Sequence, residues 1–198
     1  MIRLIILRLL LVSLTGTNIT SEKQSFEVSK DNASILISGT SNLHDWKMHL
    51  KTFDCNADFV IEGSNIEIID KVTFSCNAED LKSDNSLMDK KAYSALKSKS
   101  FPQVRFDMTS PLKVNPDNNK FSANLKGNLN IAGKSSTISI PVNGIIFNQN
   151  GNNIINVNGD LVLKMSDFGI SPPAFMMGAL KTGDSVTVSF TMQFSQNS

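Results

Sequence analysis

The chain has little with which to do chemistry. Its 198 residues include two histidines, two cysteines, one tryptophan and one tyrosine. His44 and His49 stand five positions apart, so on a continuous strand they point to opposite faces, which works against joint metal binding. His44-Asp45 is the one histidine–carboxylate neighbour pair, and no Gly-x-Ser-x-Gly elbow supplies a nucleophile beside it. No catalytic residue, metal site or cofactor is expected on this basis. Charge of one sign is also missing: 19 basic against 18 acidic side chains, with no basic run, give nucleic acid nothing to bind. The one long apolar run, Leu4 to Leu14, is broken by Arg8 and falls short of the about 20 residues a membrane helix needs.

That run has the layout of an export signal. Arg3 supplies the positive start, Thr15 and Thr17 are small enough for cleavage, and polar Thr17 to Gln24 follows at once. A buried first strand would fit this abrupt change of polarity less well. The expected organisation is a signal peptide over residues 1–21 and one domain over 22–198, in a periplasmic or secreted protein. No cysteine near residues 15–25 offers a lipid anchor. Without Arg3 and Arg8 the remaining 17 basic and 18 acidic groups leave a charge near −1. Asn18-Ile19-Thr20 and Asn32-Ala33-Ser34 match the glycosylation sequon, a chance event in a chain this rich in Asn and Ser.

What the chain does have is alternation. Phe121, Ala123, Leu125, Gly127, Leu129 and Ile131 alternate with polar residues, as do Ile138, Ile140, Val142 and Gly144. Ile155, Val157, Gly159, Leu161 and Leu163 follow, and Val186 to Phe194 repeat the pattern. A period of two with one wet face is the mark of antiparallel strands. Turn-forming residues at Lys30-Asp31-Asn32, Gly63-Ser64-Asn65, Asn115 to Asn119, Gly133 and Gly151 separate them. About eight strands at this spacing predict an all-β fold, an antiparallel barrel or a sandwich. A barrel of that size holds either its own side chains or one ligand. Gly127, Gly144 and Gly159 on inward rows suggest curvature, or room for a guest.

One inserted helix is predicted near residues 87–98, with Ser86 as cap, Asp89 at its positive end and Met88, Ala92, Tyr93 and Leu96 as an apolar stripe. A second helical turn is expected over Ala174 to Leu180 after Pro172-Pro173, apolar all round and so buried or covering an opening. Cys55 and Cys76 fall on consecutive strand candidates, roughly opposite one another if the chain reverses near Gly63. They then form a bridge or remain two buried thiols, and the sequence leaves both open. Met88, Met108, Met165, Met176, Met177 and Met192 add adaptable apolar volume.

Three segments carry a family likeness: Ser38-Gly39-Thr40-Ser41-Asn42-Leu43-His44-Asp45-Trp46, then Met88 to Lys97 with Phe101-Pro102-Gln103-Val104-Arg105-Phe106, then Lys164-Met165-Ser166-Asp167-Phe168-Gly169-Ile170-Ser171-Pro172-Pro173. In this order and spacing they resemble the YceI-like family, over about Phe26 to Phe194. The resemblance implies a lipocalin-like extracytoplasmic barrel that holds a long isoprenoid-type lipid, a carrier rather than an enzyme. Its partner is then an apolar or amphiphilic lipid, with transient membrane contact at loading and a homodimer as one way to cover an open edge. The competing reading is a structural or stress-response barrel with a filled core and no ligand. For the carrier, Leu125, Leu129, Ile140, Val142, Val157, Leu161, Val188 and Phe190 are expected to line an elongated cavity. Phe168, Phe175 and Met176 would close its mouth, and His44, Trp46 or Tyr93 would meet a polar head. Filling Gly127 or Gly159 with Leu is expected to abolish uptake without disturbing the strands.

Overall fold

The computed structural model describes residues 21–175 and 179–196. The proposed export segment, apart from its last residue, and Met176 and Met177 lie outside the described residues. Strands β1 (Glu22–Ser41), β2 (Trp46–Leu50), β3 (Asp54–Glu62), β4 (Asn65–Asn77) and β5 (Leu81–Lys82) precede the helix α1 (Ser86–Ala95). After it come β6 (Gln103–Met108), β7 (Leu112–Lys113), β8 (Lys120–Ile131), β9 (Lys134–Gln149), β10 (Asn152–Lys164), β11 (Ala174–Phe175) and β12 (Leu180–Gln196).

Eight of these strands close an antiparallel barrel, in the order β1-β3-β4-β6-β8-β9-β10-β12 and back to β1. The remaining short strands decorate it: β2 pairs with the second half of β1 and carries β5, β7 pairs with β4, and β11 pairs with β12. The barrel expectation stands, with one helix inserted between β5 and β6. Tight turns set the hairpin registers. Ala132-Gly133 (φ 53 and 81) joins β8 to β9, and Asn150-Gly151 (φ 54 and 88) joins β9 to β10. Positive φ at both central residues matches the twist of the strands they connect.

Three local expectations give way. Lys30-Asp31-Asn32 does not reverse the chain: β1 runs straight through it, and the residues between Val28 and Ala33 bulge out of register with β12. Polar turn-formers suit a bulge as well as a turn, because both need backbone freed from the ladder. The helix cap is Asn85, one residue earlier than expected, whose Oδ1 accepts from the amides of Leu87 at 2.9 Å and Met88 at 3.2 Å. The segment around the second predicted helix begins and ends as strand, with Ala174 and Phe175 paired to Lys181 and Leu180. Thr182 anchors this hairpin by donating to the Pro173 carbonyl from both its amide and its hydroxyl.

The two ends of the barrel pack differently. At the end bearing the Gly63 and Gly151 turns, Phe26, Ile66, Ile146 and Ile155 are at most 1% exposed. There the Phe59 ring meets Phe26 edge-on at 5.5 Å between centroids and Phe194 at 6.2 Å. At the opposite end, Ile37, Trp46, Ile138, Leu163 and Val186 point inward yet remain only half-buried.

Candidate functional site

Those half-buried side chains surround a cavity of about 890 Å3. The volume falls within the range of small-molecule sites. Every strand of the barrel contributes inward residues to its wall, and Leu87, Met88, Ala92 and Ala95 of α1, with Leu96 just after it, cover one side. Leu125, Leu129, Ile140, Val142, Val157, Leu161, Val188 and Phe190 all line it, as do Phe168, His44 and Trp46. The strand register read from alternation therefore places these rows on the inner face. Phe175 sits in β11, while Met176 lies outside the described residues. Of the methionines, Met88, Met165 and Met192 line the cavity together with Met48; Met108 does not.

Tyr93 is the exception among the proposed head-group residues. It does not line the cavity. Its hydroxyl donates to the Leu81 carbonyl at 2.9 Å and accepts from Lys82 Nζ at 2.6 Å, which pins α1 to β5. The same bond raises the pKa of the Lys82 ammonium above its ordinary value. A tyrosine on the apolar stripe of a short helix satisfies its hydroxyl wherever a carbonyl lies in reach, and here that is outside the barrel.

The Gly39 to Trp46 segment builds the lip of the mouth. Ser41 Oγ donates to the His44 carbonyl and accepts from the amides of Leu43 and His44. Asn42 clasps the start of β12: its side chain donates to the Ala179 carbonyl and accepts from the Lys181 amide, while its own amide donates to the Lys181 carbonyl. Trp46 Nε1 donates to the Thr40 carbonyl at 3.1 Å, and the indole lies over Gly39, directly across the ladder. His44 Nδ1 lies 2.8 Å from the Asp45 carbonyl oxygen. A carbonyl only accepts, so Nδ1 is the donor in this contact.

The inward glycines are not vacant space. A Cβ on Gly144 would stand 2.2 Å from Cζ of Phe121, its cross-strand partner, and one on Gly159 would meet Phe190 and stand 2.4 Å from the Pro141 carbonyl oxygen. At Gly127 the obstacles are the Phe106 ring and the Asp107 carbonyl oxygen at 2.7 Å. Each glycine is a seat for a neighbouring aromatic ring. Leucine at Gly127 or Gly159 would strike backbone, so these substitutions would disturb the sheet rather than fill the cavity.

Cys55 and Cys76 both line the cavity as free thiols. They are not opposite one another: Cys55 pairs with Phe74, and Cys76 with Val104 on β6. Burial pushes the Cys55 thiol up to about 12, and burial aided by the negative charge of Asp80 does the same for Cys76. These are poor nucleophiles and serve as wall.

Polar lining residues gather where the wall ends: Ser41, His44 and Thr182 near the lip, Asn77 and Asn85 near α1, and Lys91, Lys164 and Lys181. The lysines escaped the sequence reading, which followed only apolar rows. For Lys91 a signal existed, since it shares a helix face with Met88 and Ala95. Among the described residues no cluster of three or more His, Cys, Asp or Glu could hold a metal, and no helix is long and apolar enough to cross a membrane.

Fold and site together define a closed antiparallel barrel with one packed end and one hollow, apolar end. The YceI-like domain matches residues 19–194, and the chain belongs to that family. Similar solved structures share the fold at low identity. BcnA of Burkholderia cenocepacia is 16% identical, with a TM-score of 0.64 over 84% of this chain and 98% of that one. A polyisoprenoid binding domain from Saccharophagus degradans, implicated in plant cell wall breakdown, is 10% identical, with a TM-score of 0.63 over 88% of this chain and 99% of that one. The YceI protein of Campylobacter jejuni is 18% identical, with a TM-score of 0.58 over 76% and 85%. No curated protein matches the sequence.

Proposed function

We propose that this protein is an extracytoplasmic carrier that sequesters a long-chain isoprenoid-like or amphiphilic lipid inside the barrel and does not turn it over. The observation that carries this reading is the apolar cavity of about 890 Å3 at one end of an otherwise well-packed barrel. A filled structural barrel has no use for such a space, and dry apolar voids weaken a fold. Family membership and the polyisoprenoid binding domain of Saccharophagus degradans among its structural relatives point the same way. The absence of any carboxylate among the described lining residues, and the inert thiols, argue for holding rather than catalysis.

Burying hydrocarbon is worth about 0.8 kcal/mol per CH2, so a long chain leaves for a membrane or detergent far more readily than for water. Membrane contact in this reading is transient and serves loading and release. Native mass spectrometry of protein purified without detergent tests it. A reproducible lipid-sized mass increment, lost on organic extraction, is expected. Fully apo protein that also fails to take up isoprenoid or fatty probes would overturn the carrier reading in favour of a ligand-free barrel. N-terminal sequencing of protein from its host tests the export: loss of the segment up to about residue 21 is expected, and an intact Met1 would overturn it.

A further inference from the structure

Among the described residues the charge lining the cavity is one-sided although the chain is not. The whole sequence is near neutral, with a formal charge of +1, yet the charged side chains lining the cavity are Lys91, Lys164 and Lys181, with no carboxylate among the described lining residues. They come from three elements, namely α1, the end of β10 and the start of β12, so no single amphipathic segment accounts for their meeting. Asp184, a carboxylate that feels the charge of Lys164, is directed to Ser166. It accepts from the Ser166 amide at 2.9 Å and hydroxyl at 2.6 Å, which lower its pKa more than Lys164 does. His44 adds a ring nitrogen on the same lip.

We infer that the mouth selects an amphiphile with an anionic head, a phosphate or a carboxylate, held by Lys91, Lys164 and Lys181 while its chain fills the apolar interior. This rests on the carrier reading and adds the chemical class of the head. Ammonium groups beside low-dielectric wall attract an anion more strongly than they would in open water, and each gives a charge-assisted hydrogen bond. A neutral alcohol head gains neither. The bland alternative is that the lysine stems merely shield the apolar rim, in which case head charge is irrelevant.

The test uses delipidated mature protein and the fluorescence of Trp46, the one tryptophan, which lies in the cavity wall. Geranylgeranyl phosphate is compared with geranylgeraniol, and palmitate with hexadecanol. The anion of at least one pair is expected to bind about tenfold tighter than its alcohol, with the advantage shrinking as salt is raised from ~0.05 to ~0.5 M. Preference confined to the first pair assigns a phosphate, and preference confined to the second a carboxylate. Lys164→Gln with Lys181→Gln is expected to remove most of the preference, as is Lys91→Gln in part, while the Lys→Arg versions restore it. Circular dichroism checks that each variant keeps its strands. Equal binding of anion and alcohol by the parent, or a preference that survives all three Lys→Gln changes, would overturn the head-group assignment and leave the carrier reading standing. Failure to bind any of the four would overturn both.

Discussion

The packed end and the hollow end are built from the same strands and the same alternation, yet they use apolar side chains for opposite purposes. At the packed end the Phe59 ring meets those of Phe26 and Phe194 edge to face. A few residues further along the same ladders, Ile37, Leu163 and Val186 present equally apolar surface to empty volume. Hydrophobicity alone therefore does not make a core. Close packing of complementary shapes does, and where it stops a site begins.

This contrast can be broken most directly by truncation. Phe59→Ala should destabilise the protein by about 3–5 kcal/mol, while Leu163→Ala at the hollow end should cost less than about 1.5 kcal/mol, both read from denaturant midpoints. Equal losses would mean that the two ends are packed alike. Overfilling should show the reverse asymmetry in function. Ile155→Phe, at a residue 0% exposed, should cost about 1–3 kcal/mol, whereas Ile140→Trp should leave stability within about 1 kcal/mol and cut uptake of a fluorescent fatty probe severalfold. Gly144→Ala sharpens the comparison at the border between the ends. Its Cβ must displace the buried Phe121 ring, and a loss of about 1–2 kcal/mol is expected in a thermal melt.

Smaller effects test the wall chemistry. Because burial raises both thiols to about 12, Cys55 and Cys76 should alkylate far more slowly in folded than in unfolded protein at pH 8, with Cys76 further protected when lipid is bound. Mass spectrometry of unreduced protein should find both thiols labelled after unfolding. The smallest effect concerns Asp184, whose folded pKa is lowered chiefly by Ser166. Its contribution is present above the ordinary carboxylate range and lost as pH falls through the lowered value. Asp184→Asn should therefore alter acid stability only slightly, because solvent screens a group at the surface, and only at the acid end of the profile.

The hollow end was as legible in the sequence as the packed one, but for different reasons. The rows through Leu125, Ile140, Leu161 and Val188 could be read because each strand has one wet face, which fixes the other as inward. Alternation does not say whether an inward residue meets a neighbour or a void, so the expected cavity rests first on family likeness and second on the inward glycines and the methionines. What failed to show were features set by contacts distant in sequence. Asn42 reaches Ala179 and Lys181, and Thr182 ties down Pro173, so a segment that looks helical around residue 174 becomes a hairpin. The seating of Phe121 and Phe190 on Gly144 and Gly159 needs cross-strand register, without which the glycines read as vacant space. Tyr93 shared a helical stripe with cavity residues, but its hydroxyl found a partner on β5.

The seam between β1 and β12 has a consequence in time. The first and last strands of the barrel are zipped together from Phe26 opposite Gln196 to Ser41 opposite Thr182, so the fold closes through its most sequence-distant contacts. Such pairing is slow, because a large loop must be ordered before the ladder rewards it. A growing or threading chain cannot form the closed barrel until β12 has emerged, and until then the apolar rows of both ends stay exposed. A circular permutant that links β12 to β1 through a short tether and opens the chain at Gly151 turns the seam into a local hairpin. It should refold markedly faster than the parent while keeping the same cavity.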